Sequence, residues 1–334
     1  MNDFESSLFQ NWIQKIQNKL PLVKPRIIFP EGNNLLVQTV VTKLVTKGLI
    51  VAQLVFLKRN DIPSTLKKEI QCLVVEEQDL KSLAKAIHHW KAKKWTLKQT
   101  HQLMKNPYYF ATSWLKLDKS EGLVGGIDCP TSELVRPAIQ IVGVSANSKM
   151  ASSAFLLSKN KEKYLFTDCA MNPEPNAEQL TNIALNALQL GTQLELSPLQ
   201  LAFLSFSTKG SGGEFPCITR INKAQNLLQK YQKQSNFTSI GEVQFDTAFS
   251  NIIRKKKIPN NNWKTPANIY VFPDLNSGNI GYKIAQEMGQ FQAIGPLLIG
   301  LNKPVCDLSR GAKMSDIEGS ILFVLFIVLK NRGL

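Results

Sequence analysis

Short apolar runs rich in Val, Ile and Leu alternate with helix-period segments along most of the chain. RIIFP (26–30) leads into a helical stretch from Asn33 to Lys47, closed by Gly48, and then into LIVAQLVFLK (49–58), which reads as strand, helix, strand. CLVVEE (72–77) continues the series, followed by helical stretches at about 79–92 and 97–105. A second series begins near residue 146, with MASSAFLLSK and KYLFTDC as short strands and a helix from about Ala177 to Leu194. It goes on through LQLAFLSFS (199–207), a helix from about Ile218 to Gln232, and NIYVFP (268–273). Strands alternating with helices predict α/β layers around a largely parallel sheet. At 334 residues the chain is longer than one core usually serves, so two such domains are expected. AIGPLLIG (293–300) and the last helix fit either sheet by pattern alone.

Charge narrows the partners. Forty Lys and Arg against 25 Asp and Glu give +15, which favours a polyanion: nucleic acid, an acidic membrane surface or a phosphorylated metabolite. The tightest basic runs, KAKKW (91–95) and RKKKIP (254–259), are short and belong to no RNA-binding motif, which argues against nucleic acid. The most apolar run, ILFVLFIVLK (321–330), falls short of the ~20 residues that span a bilayer. It is expected to be a helix buried in a core, with a partner-subunit surface as second choice. Phe4, Leu8, Phe9, Trp12, Ile13, Ile16 and Leu20 recur at helical spacing, predicting a packed amphipathic helix rather than a signal peptide, and no membrane partner is expected. Five scattered cysteines form no Cys-x-x-Cys pair, which points to a reduced, cytoplasmic protein. His88, His89 and His101 make no metal-ligand pair on one helix face, so no metal site and no histidine-centred triad is expected.

Three loops follow apolar strands, at the ends where open α/β sheets bind ligands. In LAFLSFSTKGSGGEF the strand runs into Ser207, Thr208, Lys209, Gly210 and Ser211; glycine-freed amides, hydroxyls and an ammonium suit a phosphate, although the spacing is not that of a Walker A loop. An ordinary flexible turn accounts for the same residues. In NIYVFPDLNSGNIGYKIAQEMG, Asn276 or Ser277 is expected to cap a helix, with Gly278, Asn279, Tyr282 and Lys283 just beyond. In KPVCDLSRGAKMSDIEGS, Ser315 to Glu318 reads as a capping box with Ser315 as N-cap. Asp316 then sits in the first helical turn, where the dipole favours its ionised form, and Ser309 and Arg310 lie just ahead.

Taken in order, EGLVGG…TSELVRPAIQ, LFTDCAMNPEPNAEQL, LSFSTKGS, GEVQFDTAF, FPDLNSGNIGYKIAQ and IGPLLIGLNKPVCDLSRG resemble the phosphate acetyltransferase (phosphotransacetylase) and phosphate butyryltransferase family over about residues 120 to 320. The resemblance implies two α/β domains of the isocitrate/isopropylmalate dehydrogenase-like type with the active site in the cleft between them. It implies a discontinuous first domain, 1–145 with 295–334, a second domain of 146–294, and a homodimer. The implied reaction is reversible acyl transfer between coenzyme A and inorganic phosphate through a ternary complex. Coenzyme A is then a substrate, and no cofactor is tightly bound.

By motif, Asp316 is implied as the general base for the coenzyme A thiol. Ser309 would be the donor to the reacting carbonyl, and Arg310 the ligand of the phosphoryl group. Arg136, in LVRPAIQ, matches a family arginine that contacts coenzyme A. Ser207, Thr208, Lys209, Gly210, Ser211, Asn276, Gly278, Asn279 and Tyr282 are the expected contacts to coenzyme A or phosphate. Two positions depart from the family: Glu287 stands where it has an arginine, and Trp90 falls near a second, with Lys91 or Lys93 able to substitute. An i,i+4 ion pair between Lys283 and Glu287 is the local expectation. Each missing arginine removes charged hydrogen bonds worth about 1.5–3 kcal/mol. The alternatives are therefore a propionyl or butyryl transferase and a weakened relative that only binds.

Overall fold

The computed structural model describes residues 7–19, 24–91, 94–232 and 236–334. Phe4 and Leu20 of the predicted first helix, and Lys93, lie outside them. The chain runs α1 (Ser7–Lys19), β1 (Arg26–Phe29), α2 (Leu35–Thr46), β2 (Val51–Phe56), β3 (Gln71–Val74), α3 (Leu80–Lys91), α4 (Leu97–Leu103), α5 (Pro107–Lys116), β4 (Gly122–Gly125) and α6 (Thr131–Pro137). It continues through β5 (Ser152–Lys159), β6 (Glu162–Thr167), α7 (Ala177–Gln193), β7 (Leu199–Leu204), α8 (Pro216–Gln232), β8 (Phe237–Val243), α9 (Phe245–Phe249), α10 (Asn251–Lys257), β9 (Ile269–Val271), α11 (Leu275–Glu287), β10 (Gln292–Ile299), β11 (Val305–Asp307) and α12 (Met314–Asn331).

Two compact units result: the chain up to Ser145 together with Leu301–Leu334, and Ala146–Gly300. In the first, β3, β2, β1, β4 and β11 lie side by side and all run parallel. In the second, β6, β9, β7 and β8 form a parallel set, β5 pairs antiparallel with β6, and β10 pairs antiparallel with β5. AIGPLLIG therefore completes the second sheet, with Ile294 opposite Leu156 and Leu298 opposite Ser153. The chain returns to the first unit at Leu301, not at residue 295.

Local chemistry explains the boundaries. Asn34 caps α2, its side chain accepting from Leu36 N and Val37 N at 3.0 and 3.1 Å, and Gly48 ends that helix at φ 71. Asn106 caps α5, which starts on Pro107. The basic run at 254–257 is only partly a solvated surface: Arg254 is buried and gives its guanidinium to the carbonyls of Ala248 and Thr265 at 3.0 and 2.8 Å.

The apolar tail is core. Every residue of α12 from Gly319 to Leu329 is buried, and the helix packs on α1, α2 and β4. Trp12 of α1 stacks on Phe323 and Phe326 with centroids 5.8 and 5.6 Å apart. A Cβ on Gly122 would lie 2.4 Å from Val324, so only glycine lets β4 approach this helix. Among the described residues no helix is long and apolar enough to cross a membrane. Trp12→Ala is expected to cost about 3 kcal/mol, read as a lower urea midpoint that is independent of protein concentration. An unchanged midpoint would show that α1 does not seal α12.

Candidate active site

In the first unit the parallel strands end on one edge, so the turns after β1, β4 and β11 gather there. Asp307 closes β11, and Leu308 N donates to Gly125 O at 2.6 Å, carrying the chain across the end of β4. Ser309 and Arg310 follow on an exposed turn closed by Ala312 N to Ser309 O at 2.9 Å. The turn delivers the chain into α12, whose N-cap is Lys313 rather than Ser315. Asp316 is in the first turn and takes the capping role itself: its Oδ2 accepts from Lys313 N at 2.9 Å. Among the described residues its Oδ1 meets only Ser315 Oγ, at 3.5 Å. Glu318, expected to reach back to the cap, instead pairs with Lys43 of α2 at 2.9 Å. Arg136 is exposed on α6.

Beneath these residues lies a buried acidic pair that the sequence pattern does not single out. Glu31 accepts from Tyr108 Oη at 2.9 Å, from Gly126 N at 2.8 Å and from Asp128 N at 3.2 Å. Burial nonetheless holds its carboxyl above the usual range. Asp307 is 2 % exposed, and burial pushes its carboxyl up to about 7.

In the second unit the expected phosphate loop follows β7. Ser207 and Thr208 are buried: Ser207 Oγ donates to Glu242 Oε1 at 2.7 Å, and Thr208 Oγ1 bonds Gln244 Oε1 at 3.1 Å. Gly210 N also donates to Glu242 Oε1, at 2.8 Å, so a carboxylate of the protein already occupies the donors at the base of the loop. Lys209, Gly210 and Ser211 are exposed at the rim. Lys209 gives one N–H to Gly241 O at 2.9 Å.

The turns after β6 and β9 are locked together. Asp168 accepts from the main-chain N–H groups of Ala170, Met171 and Asn172 and from the side chains of Ser153 and Asn172. A Cβ on Gly278 would lie 2.3 Å from Asp168 O, and Asn279 Nδ2 donates to Cys169 O at 3.2 Å. Asp274, not Asn276 or Ser277, caps α11, accepting from Ser277 N at 2.9 Å. Asn276 is exposed. Tyr282 is buried against Phe155, ring centroids 4.0 Å apart, which makes it part of the core. Gly278 and Tyr282 thus have structural reasons of their own.

The two departures are both on the surface. Among the described residues no ion pair joins Lys283 to Glu287; Lys283 Nζ lies 5.1 Å from the Tyr282 ring centroid instead. Trp90 is half exposed with Lys116 Nζ 5.2 Å from its ring centroid, and Lys91 feels Lys94 and Lys116 closely enough that they add to the burial that lowers its pKa. Positive charge is therefore present around Trp90. All five cysteines are unpaired, and among the described residues no group of three His, Cys, Asp or Glu side chains is placed to hold a metal ion.

Known proteins resemble this chain over most of its length. Residues 9–324 match the family described as phosphate acetyl/butaryl transferase. A phosphate acetyltransferase of Mycoplasma capricolum is 38 % identical over 321 residues, covering 94 % of this chain and 98 % of the relative. One from Mycoplasma genitalium is 40 % identical over 296 residues, covering 88 % and 91 %. A phosphotransacetylase structure from Streptococcus pyogenes superposes with a TM-score of 0.87 at 32 % identity, covering 96 % of this chain and 99 % of that one. A match over nearly the whole chain, with relatives of this identity covered almost end to end, means that the chain belongs to the phosphate acetyl/butaryl transferase family.

Proposed function

We propose that the protein is a phosphate acetyltransferase, moving an acetyl group reversibly between coenzyme A and inorganic phosphate. The observation that carries this reading is the β11–α12 connection: an exposed hydroxyl and guanidinium, Ser309 and Arg310, followed by a first-turn carboxylate with one oxygen that, among the described residues, has no donor closer than Ser315 Oγ at 3.5 Å. Asp316 Oδ1 takes the proton of the coenzyme A thiol. The thiolate attacks the carbonyl carbon of acetyl phosphate, Ser309 donates to the oxyanion that forms, and the C–O bond to phosphate breaks. Arg310 holds the departing phosphate dianion. The main-chain bond from Lys313 N fixes the orientation of the Asp316 carboxylate and leaves Oδ1 to meet the thiol.

Both substrates are polyanions, which the net charge of +15 attracts. Arg136 is assigned to coenzyme A, and Lys209, Gly210, Ser211 and Asn276, all exposed, to its phosphates or to inorganic phosphate. Ser207, Thr208, Gly278, Asn279 and Tyr282 support those contacts from below. Coenzyme A acts as a substrate, with no tightly bound cofactor, and the reaction belongs in the cytoplasm.

A homodimer is also part of this reading. An apolar groove of about 580 Å³ in the second unit is lined by Phe245, Phe249, Ile284, Met288 and Phe291 among others. Met288 is 82 % and Ile284 53 % exposed, a patch that monomers usually avoid and a second copy would cover.

With acetyl phosphate and coenzyme A the protein is expected to form acetyl-coenzyme A, and Asp316→Asn to lower kcat by about 100- to 10,000-fold with little change in KM. Absence of any thioester from acetyl, propionyl or butyryl phosphate would contradict the reading, and a preference for the longer chains would reassign the substrate. Arg310→Gln is expected to raise KM for acetyl phosphate by about tenfold or more, the loss of a charged hydrogen bond worth roughly 1.5–3 kcal/mol. For the groove, Ile284→Lys with Met288→Lys is expected to convert a dimer to a monomer in sedimentation; an unaltered mass would place the interface elsewhere.

A further inference from the structure

The turn after β4 is pinned from both sides. On one side stands Glu31, 8 % exposed in the turn after β1, whose two carboxylate oxygens accept from Gly126 N at 2.8 and 3.0 Å. One of them also accepts from Asp128 N at 3.2 Å. Both amides lie past Gly125, the last residue of β4, and among the described residues Glu31 is their acceptor. Tyr108 of α5 donates to the same carboxylate at 2.9 Å, and Asn34 Nδ2 donates to Asp128 Oδ1 at 2.9 Å. On the other side Leu308 N donates to Gly125 O at 2.6 Å, and the next two residues are Ser309 and Arg310. The fit leaves no slack. A Cβ on Gly125 would lie 2.5 Å from Pro30, and one on Gly126 would lie 2.1 Å from Asp307 Oδ1.

We propose that Glu31 is a positioning residue for acyl transfer: by holding Gly126 N and Asp128 N it sets the turn on which Leu308 rests, and so the place of Ser309 and Arg310. The proposal rests on the acetyltransferase reading, which gives Ser309 and Arg310 their chemistry. Each step of the link is a hydrogen bond or a close approach between neighbouring strand ends. An apolar residue at position 31 could fill the space, but it would leave two amides without their acceptor, and the turn would have to shift to find others.

The turn cannot shift alone. Gly125 O carries Leu308 N with it, and a misplacement on the order of 1 Å at a reacting group costs about 100-fold in rate. The same turn runs on through Asp128 to Pro130, the N-cap of α6, so the helix that carries Arg136 starts from the same fixed point.

Glu31→Ala is expected to lower kcat/KM by about 100-fold, partly through a higher KM for acetyl phosphate, because Arg310 is displaced. Glu31→Gln keeps one oxygen for the two amides and should lose about tenfold or less by the same argument. A cycle with Arg310→Gln separates positioning from general destabilisation: once Arg310 is gone, Glu31→Ala should add less than about threefold to the KM for acetyl phosphate. If Glu31→Ala does not fold, Glu31→Gln, which sets an amide N–H against Gly126 N, carries the same cycle. The proposal is overturned if the two substitutions multiply fully in KM, or if the Glu31 variants lose only urea stability while kcat and KM hold. Wild-type protein without turnover would sink the acetyltransferase reading instead. Hydrogen exchange at the Leu308 amide then decides the positioning role. Faster exchange there in the Glu31 variants, with β7 amides unchanged, supports it, and an unaltered Leu308 rate refutes it.

Discussion

Everything in the first unit depends on β11 lying parallel to β4, with Val305, Cys306 and Asp307 opposite Leu123, Val124 and Gly125. Three residues of strand would not hold a segment that returns from the far end of the chain. The helix that follows does. Each fully buried Ile, Leu, Val or Phe of α12 contributes roughly 1.5–3 kcal/mol, whereas loop closure costs only about 0.6 kcal/mol more for each doubling of length. The most apolar run of the sequence is thus the anchor that brings Ser309, Arg310 and Asp316 to an edge built by the opposite end of the chain.

The same economy recurs in how charge is handled. Asp316 caps its own helix through Lys313 N with one oxygen, and the other meets Ser315 Oγ at 3.5 Å. Glu242 occupies the donors of Ser207 and Gly210 from below, which shapes the loop after β7 and leaves Lys209 and Ser211 at its rim. Glu31 is buried and holds Gly126 N and Asp128 N of the turn after β4. In each place a carboxylate organises main chain or hydroxyl groups, and the residues displayed to solvent are donors, which is what two anionic substrates require.

Much of this was legible in the sequence, and the exceptions share one cause. The strand–helix alternation, the first-turn place of Asp316, the end of α2 at Gly48, and the burial of the apolar tail follow from local pattern. What did not follow depends on partners remote in the chain. Glu318 was expected in a capping box, but Lys43 of α2 draws it away. AIGPLLIG has no preference of its own between two sheets until β5 pairs with it. GLVG, with a glycine at each end, is a poor strand by propensity, yet Val324 and Pro30 demand those glycines at Gly122 and Gly125. Ser207 reads as a phosphate ligand because nothing near it in sequence announces Glu242. The buried acids are least legible of all, since an acid at a strand end looks like an ordinary surface residue until the fold covers it.

The central claim is direct attack of a thiolate on acetyl phosphate at the Ser309, Arg310 and Asp316 edge, with no covalent acyl-enzyme. Exchange of labelled inorganic phosphate into acetyl phosphate, followed with and without coenzyme A, tests it most directly. The account predicts exchange only when coenzyme A is present. Exchange in its absence would require an acetyl group held on the protein itself and would contradict the account.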